Sequence, residues 1–281
     1  MNLHRRAFAA ALSAVAMVSL AACNGSGGSS VNPFVAQRGT LRFINGSADA
    51  GTVDVAIGTA NQPNFRGLPY AGSAQNPSSN SNAGISPYTQ FNAPNQAIFV
   101  YQTGTTTQLK IPQSSVTITP NGRTTVVLTG SVAKGTLRVV TFSEHLFTTV
   151  ATAGSVAFHQ ASQAFATTKF TVGAQAAGST SGSTCTASFS VIPPQIAYAV
   201  SPPTFQEGVP AAPTGVAFCV QGAGKLLTML PSQVDSNNAG NVMPYTGAGS
   251  VNNDQNLSIY LIDPMASGTT PVLVGVFDPD N

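Results

Sequence analysis

Leu41-Arg42-Phe43-Ile44-Asn45-Gly46-Ser47-Ala48-Asp49-Ala50-Gly51-Thr52-Val53-Asp54-Val55-Ala56-Ile57 is the stretch on which the reading of the fold turns. Leu41 to Asn45 reads as a strand. Val53 to Ile57 alternates apolar and polar residues with period two, the pattern of a strand with one buried face. Gly46 to Gly51, between them, has the composition of a turn. β-branched residues dominate the runs that follow, and no window keeps the 3.6-residue period of a helix.

Working outward, Ala97 to Tyr101, Val116 to Thr119, Thr124 to Thr129 and Leu137 to Phe142 also read as strands. Pro120-Asn121-Gly122 is a turn, and the last two strands pair naturally across Gly130 to Gly135. Thr59 to Gly84 is rich in Asn, Ser, Pro and Gly and reads as a long loop with one short strand near Phe65 to Tyr70.

The opening pattern recurs. Gly39 to Gly58 aligns without gaps on Gly154 to Gly173, at an offset of 115. Gly39 meets Gly154, Phe43 meets Phe158, Ser47 meets Ser162, Thr52 meets Thr167 and Gly58 meets Gly173. Ser86-Pro87 falls on Ser201-Pro202 at the same offset. Further on, Ile98-Phe99-Val100 aligns with Ala217-Phe218-Cys219, and Leu137 to Phe142 with Val272 to Phe277. Short strands with turn signals about every ten residues indicate a β-sandwich. The expected fold is all-β, with two tandem immunoglobulin-like β-sandwich domains over 39–148 and 154–281 and a boundary near Thr149 to Ala153.

The N-terminus has the three parts of an export signal. His4, Arg5 and Arg6 precede an uncharged run from Ala7 to Ala22, which ends in Leu20-Ala21-Ala22-Cys23. The run is shorter than the roughly 20 apolar residues that span a bilayer. The tetrapeptide resembles the lipobox of bacterial lipoproteins. That resemblance implies a signal peptide over 1–22 and a lipidated Cys23 as the membrane anchor. Each buried methylene of a lipid chain is worth about 0.8 kcal/mol, so several chains hold a protein permanently. Asn24 in place of aspartate favours the outer over the inner membrane. Residues 23–38 include the Gly/Ser-rich stretch Asn24 to Val31, a flexible tether.

The formal charge of +2 misleads, because two of the eleven basic residues, Arg5 and Arg6, leave with the signal and nine then face nine acidic ones. A neutral chain without a basic run offers no footprint for nucleic acid. Charged residues make up 7% of the chain against 42% hydrophobic, so hydrogen-bonding side chains supply its polarity. Cys185 and Cys219 remain after Cys23, about 34 residues apart. An even pair in an oxidising compartment favours a disulfide over free thiols. Closing that loop would contribute roughly 3–4 kcal/mol in the chain-entropy model, less any strain. Two cysteines without CxxC or HxxxH spacing do not make a metal site.

The first repeat resembles a bacterial domain of unknown function, number 4397. In that family a strand similar to "vRfvHaSpdA" runs through a turn into "vDvyv", matched here by Leu41 to Ala50 and Val53 to Ile57. Ser86-Pro87-Tyr88 and Asn121 to Gly130 match two further motifs of that family. Asn45 stands where histidine is frequent. In the second repeat Ala157 replaces the arginine and Lys169 replaces Asp54. The resemblance implies repeated β-domains at the envelope or surface, and no reaction.

No catalytic, cofactor-binding or metal-ligating set emerges. His159 takes the place of Ile44 in the repeat and reads as a strand histidine facing a loop or solvent rather than as a general base. His145, beside Glu144 at a strand end, reads as solvated. Ser131-Val132-Ala133-Lys134 fits the SxxK motif but lies between two strands, where a buried helix would be needed. Gly178 to Gly182 has threonine where a nucleophile elbow needs serine. Asp49 and Asp54, or Asp263, Asp278 and Asp280, are too sparse for calcium. Asp54 is expected to pair with Arg42 or Arg123, or to accept backbone N–H groups in its turn. Tyr70, Tyr88 and Phe91 surround the long loop and read as turn packing, although that loop is the first place to look for a ligand. The expectation is a non-enzymatic envelope lipoprotein, a spacer or a binding module for a protein or glycan. The alternatives are an envelope-polymer hydrolase or transferase, and a subunit of a surface assembly using sheet edges.

Overall fold

The computed structural model describes residues 37–72, 84–144, 153–176, 195–200, 204–210, 216–222, 225–229, 243–244, 256–265 and 268–278. The expected signal peptide, Cys23, the tether, His145, Gly178 to Gly182, Asp280 and Cys185 lie outside them.

The chain is all-β and sandwich-like, and its described residues form four sheets. The first contains β1 (Arg38–Asn45), β4 (Thr89–Asn92), β7 (Arg123–Thr129) and β8 (Arg138–Ser143), in the order β4-β1-β7-β8. The second contains β2 (Val53–Ile57), β3 (Phe65–Leu68), β5 (Asn95–Gln102) and β6 (Ser115–Thr117), in the order β3-β2-β5-β6. The third contains β9 (Ala153–Gln160), β12 (Thr204–Pro210), β15 (Met243–Pro244), β16 (Asn256–Ile262) and β17 (Val272–Asp278), in the order β12-β9-β16-β17-β15. The fourth contains β10 (Phe170–Ala176), β11 (Gln195–Ile196), β13 (Val216–Gly222) and β14 (Lys225–Met229), in the order β11-β10-β13-β14.

Among the described residues, three apolar cores stack these sheets. Leu41, Phe43, Val126 and Leu128 of the first sheet pack against Val53, Val55, Ile98 and Val100 of the second. Val156, Phe158, Ile259 and Leu261 of the third pack against Phe170, Val172 and Val220 of the fourth. The intervening residues of the same strands make the third core, a seam: Ile44, Val127, Val140 and Phe142 meet Tyr260, Ile262, Val274 and Val276. The layers therefore run second, first, third, fourth. Each fully buried side chain of this size contributes about 1.5–3 kcal/mol relative to exposure.

Both inner sheets hold a parallel pair, β1 with β7 and β9 with β16. Parallel strands are covered on both faces and read as near-continuous apolar runs. Val53 to Ile57 is likewise buried at every residue, including those the alternating pattern would leave outside.

The strand pairing also corrects two parts of the repeat alignment. Ile57 lies opposite Ile98, and Val172 opposite Val220. Ile98 thus corresponds to Val220, three residues beyond its place in the sequence alignment. Leu128 lies opposite Val139, and Leu261 opposite Leu273. The last strand is therefore one residue out, and Phe142 matches Val276 in the seam rather than Phe277. An odd slip exchanges the two faces of a strand. When both faces are apolar, composition does not expose the error.

Candidate functional site

The strand directions place the site. In each parallel pair the two C-terminal ends lie side by side, so the following loops emerge together. Four loops, after β1, β7, β9 and β16, converge at one end of the seam and line a cleft of about 420 Å³. That volume falls within the usual range for ligand pockets.

Two carboxylates organise these loops. Asp263 follows β16 and is buried. Its Oδ2 accepts hydrogen bonds from Thr129 Oγ1 at 2.6 Å and the Gly130 amide at 2.5 Å. Its Oδ1 accepts from Ser162 Oγ and the Ala164 amide, both at 2.8 Å. It thereby caps the short 3-10 turn Gln163–Phe165 from a neighbouring loop, and the Tyr70 hydroxyl donates to its backbone carbonyl. Gly130 has φ of +89°, and a Cβ there would lie 2.2 Å from the Thr136 carbonyl oxygen, so this approach to Asp263 needs glycine.

Asp49 does the same for the β7–β8 loop. It accepts from Ser131 Oγ at 2.5 Å, Val132 N at 3.0 Å, Ala133 N at 3.2 Å and Ser47 Oγ at 3.2 Å. Burial alone would raise its carboxyl pKa, but these donors outweigh burial and hold it below the ordinary value. Ser131, the serine of the SxxK match, thus donates its hydroxyl to Asp49 and accepts the Lys134 amide at 3.1 Å. The segment is a carboxylate-braced turn.

Asp54 settles its expected alternatives. It accepts from Gly67 N at 2.7 Å, Thr103 Oγ1 at 3.0 Å and Gly104 N at 3.3 Å. Burial raises its pKa, but these bonds and the Arg66 charge outweigh burial and hold it below the ordinary value. Arg42 is engaged elsewhere.

The seam encloses a charged cluster. Arg42 donates from Nε to Thr125 Oγ1 at 3.0 Å and from Nη2 to the Tyr260 hydroxyl at 2.6 Å. Tyr260 in turn donates to Glu144 Oε1 at 2.6 Å. Arg42 Nη2 lies 3.9 Å from the same oxygen, and His159 Nε2 lies 3.2 Å from Glu144 Oε2. The imidazole stacks on Tyr260 with centroids 4.3 Å apart and meets Phe142 edge-on at 4.9 Å. Burial pushes the Glu144 carboxyl up, but His159 and Arg42 outweigh it and hold its pKa below the ordinary value.

His159 is therefore 1% exposed, not facing a loop or solvent as the sequence suggested. It occupies the seam-facing position of Ile44, a face that is covered because both sides of the sheet are packed. The tyrosine and phenylalanine candidates are structural. Tyr70 is buried, Phe91 packs against Phe65 with centroids 6.0 Å apart, and Tyr88 lies under the Arg42 guanidinium at 4.5 Å. Cys219 is fully buried on β13, while its expected partner lies outside the described residues. Among the described residues, no group of three or more His, Cys, Asp or Glu side chains could hold a metal.

Asp263 and Glu144 are the residues sequence reasoning underweighted. The one available signal for Asp263 was its place directly after β16, which the ladders match to Gly130 directly after β7.

Residues 39–171 match the model of a family described as a domain of unknown function (DUF4397), covering the first two sheets, β9 and the start of β10. No curated protein sequence is significantly similar. Among solved structures, the chain is similar to a candidate cell adhesion protein from Bacteroides uniformis at 11% identity, with 87% of this chain and 99% of that one covered and a TM-score of 0.26. A candidate cell adhesion protein from Bacteroides ovatus is 8% identical, with 86% and 98% covered and a TM-score of 0.23. A leucine-rich repeat protein from Bacteroides thetaiotaomicron is 12% identical over 81% of this chain and 26% of its own length, with a TM-score of 0.19.

Proposed function

We propose that this protein is a non-enzymatic binding module of the bacterial cell envelope. A lipid on Cys23 anchors it, to the outer membrane in preference to the inner. Two copies of one ancestral β-sandwich, 39–148 and 154–281, stack through the seam into a single stem. In support, the strand orders β4-β1-β7-β8 and β12-β9-β16-β17 correspond position by position, as do β3-β2-β5-β6 and β11-β10-β13-β14. A Cys185–Cys219 disulfide reinforces the second copy.

One observation carries the binding reading: loops from both copies converge on a single cleft. Its carboxylates are already saturated by loop N–H and O–H groups, which suits them to hold a surface in shape rather than to move protons for a substrate. Loops fixed on a rigid sandwich are a common place for recognition.

Labelled palmitate should enter the wild-type protein and not Cys23→Ser. Tagged, lipidated protein crosslinked in intact envelopes should retain a discrete partner. Turnover of an envelope polymer that is abolished by Ser131→Ala or His159→Gln would overturn the non-enzymatic reading.

A further inference from the structure

The polar cluster in the seam is joined largely across it. Arg42 and Thr125 lie on the first sheet and Glu144 directly follows its strand β8, whereas His159 and Tyr260 lie on the third. All are buried. The links from Tyr260 to Arg42 and to Glu144, and from Glu144 to His159, cross from one sheet to the other. Replacing a buried charged set by apolar side chains of similar volume is often neutral or stabilising, whereas removing one member leaves another charge without its partner. Strength is therefore not what sets these residues apart from the Ile, Val and Phe around them. Direction is. Burial of apolar surface is non-directional, so Ile44, Val127, Val140 and Phe142 would meet Ile262, Val274 and Val276 about as well after one sheet slid over the other. The two 2.6 Å hydrogen bonds of the Tyr260 hydroxyl would not survive such a slide.

The strand ladders show how the choice is encoded. Side chains alternate between the faces of a strand, which turns two cross-strand pairs of each inner sheet toward the seam. In the first sheet these are Arg42 with Thr125 and Ile44 with Val127. The corresponding pairs of the third are Ala157 with Ser258 and His159 with Tyr260. Each sheet thus carries its bulky polar groups at one pair and small or aliphatic side chains at the other, and the two sheets make opposite choices. A first-sheet face laid on a copy of itself would bury Arg42 and Glu144 with no tyrosine hydroxyl or imidazole to meet them. A third-sheet face laid on its own copy would bury His159 and Tyr260 without the carboxylate.

We infer that the cluster is a pairing key: it makes the first sheet accept only the third, and only in the observed register. This goes beyond the binding reading and rests on the correspondence of the two inner sheets.

The test uses the mature chain carrying Cys23→Ser. A quadruple variant, Arg42→Met, Glu144→Leu, His159→Ile and Tyr260→Phe, replaces the key with apolar side chains. Its urea midpoint should equal or exceed that of wild type, while Tyr260→Phe alone should lower it. Amide NMR should give one resonance each for Ile262 and Val274 in the wild type. In the quadruple variant each should split, reporting at least two arrangements of the seam. Val55 and Val172, in the two outer cores, should stay single in both proteins. Single resonances for Ile262 and Val274 in the quadruple variant would overturn the inference, as would splitting that spreads to Val55 and Val172. A quadruple-variant midpoint no higher than that of Tyr260→Phe would overturn it too, because the cluster would then supply strength rather than choice. Envelope crosslinking tests the binding-module reading separately, so the two can fail independently.

Discussion

Replacing Asp263 tests the geometry most severely, because one carboxylate ties together loops from both halves of the stack. Asp263→Ala leaves Thr129, Gly130, Ser162 and Ala164 without their acceptor. Hydrogen bonds to a charged group contribute about 1.5–3 kcal/mol each, and a group left buried and unpaired costs about 1–3 kcal/mol. Simple addition overstates the loss, because water from the adjoining cleft would reach some of these donors. The expected destabilisation is about 3–5 kcal/mol, below the roughly 4–12 kcal/mol that four unmet donors would cost if all stayed dry. Asp263→Asn keeps one acceptor but turns an amide toward two donors, and should cost about 2–3 kcal/mol by the same reasoning. Urea unfolding measures both as a shift in midpoint at unchanged slope. Asp49→Ala, on a more exposed loop, should cost about 1 kcal/mol or less, in keeping with the weaker effect of solvated charges. If Asp263→Asn unfolds within experimental error of wild type, the carboxylate does not brace the loops, and the account of the cleft fails.

Three other perturbations follow from named contacts. Arg42→Ala should destabilise by about 3–5 kcal/mol, because it leaves Glu144 buried with less compensation; thermal or urea unfolding reads the change. On pH, Glu144, Asp49 and Asp54 all have carboxyl pKa values held below the ordinary range. Their contribution is present above the unfolded-state value of about 4 and is lost as pH falls through the lowered folded-state values. Stability should therefore drop below about pH 4, and Glu144→Gln should flatten that drop. Finally, non-reducing peptide mapping should recover a Cys185–Cys219 crosslink, and its reduction should lower stability by roughly 3–4 kcal/mol in the chain-entropy model.

What could be read from the sequence depended on which faces of a strand are covered. Val53 to Ile57 was legible because β-branched residues and a Gly/Ser/Asp turn act locally. The seam was not. Arg42, Thr125 and His159 are polar residues on strands, and period-two reasoning sends such residues toward water. Here that second face packs against another sheet, and the polar groups bury by satisfying each other. The same double burial hid the register slips at Ile98 and Val139, since either face of those strands looks apolar. The cleft was harder still. Thr129, Ser162 and Asp263 lie 33 to 134 residues apart in sequence and meet only because two parallel pairs end together.

The central claim, that the four-loop end is where this protein meets its partner, is tested most directly by photo-crosslinking in intact cells. A photoreactive residue at Thr269, exposed on the rim of the cleft, would be compared with one at Pro120, exposed at the opposite end beside Arg38 and Gly122. The account predicts a discrete adduct from Thr269 and none from Pro120. No adduct from Thr269, or the same adduct from both positions, would contradict it.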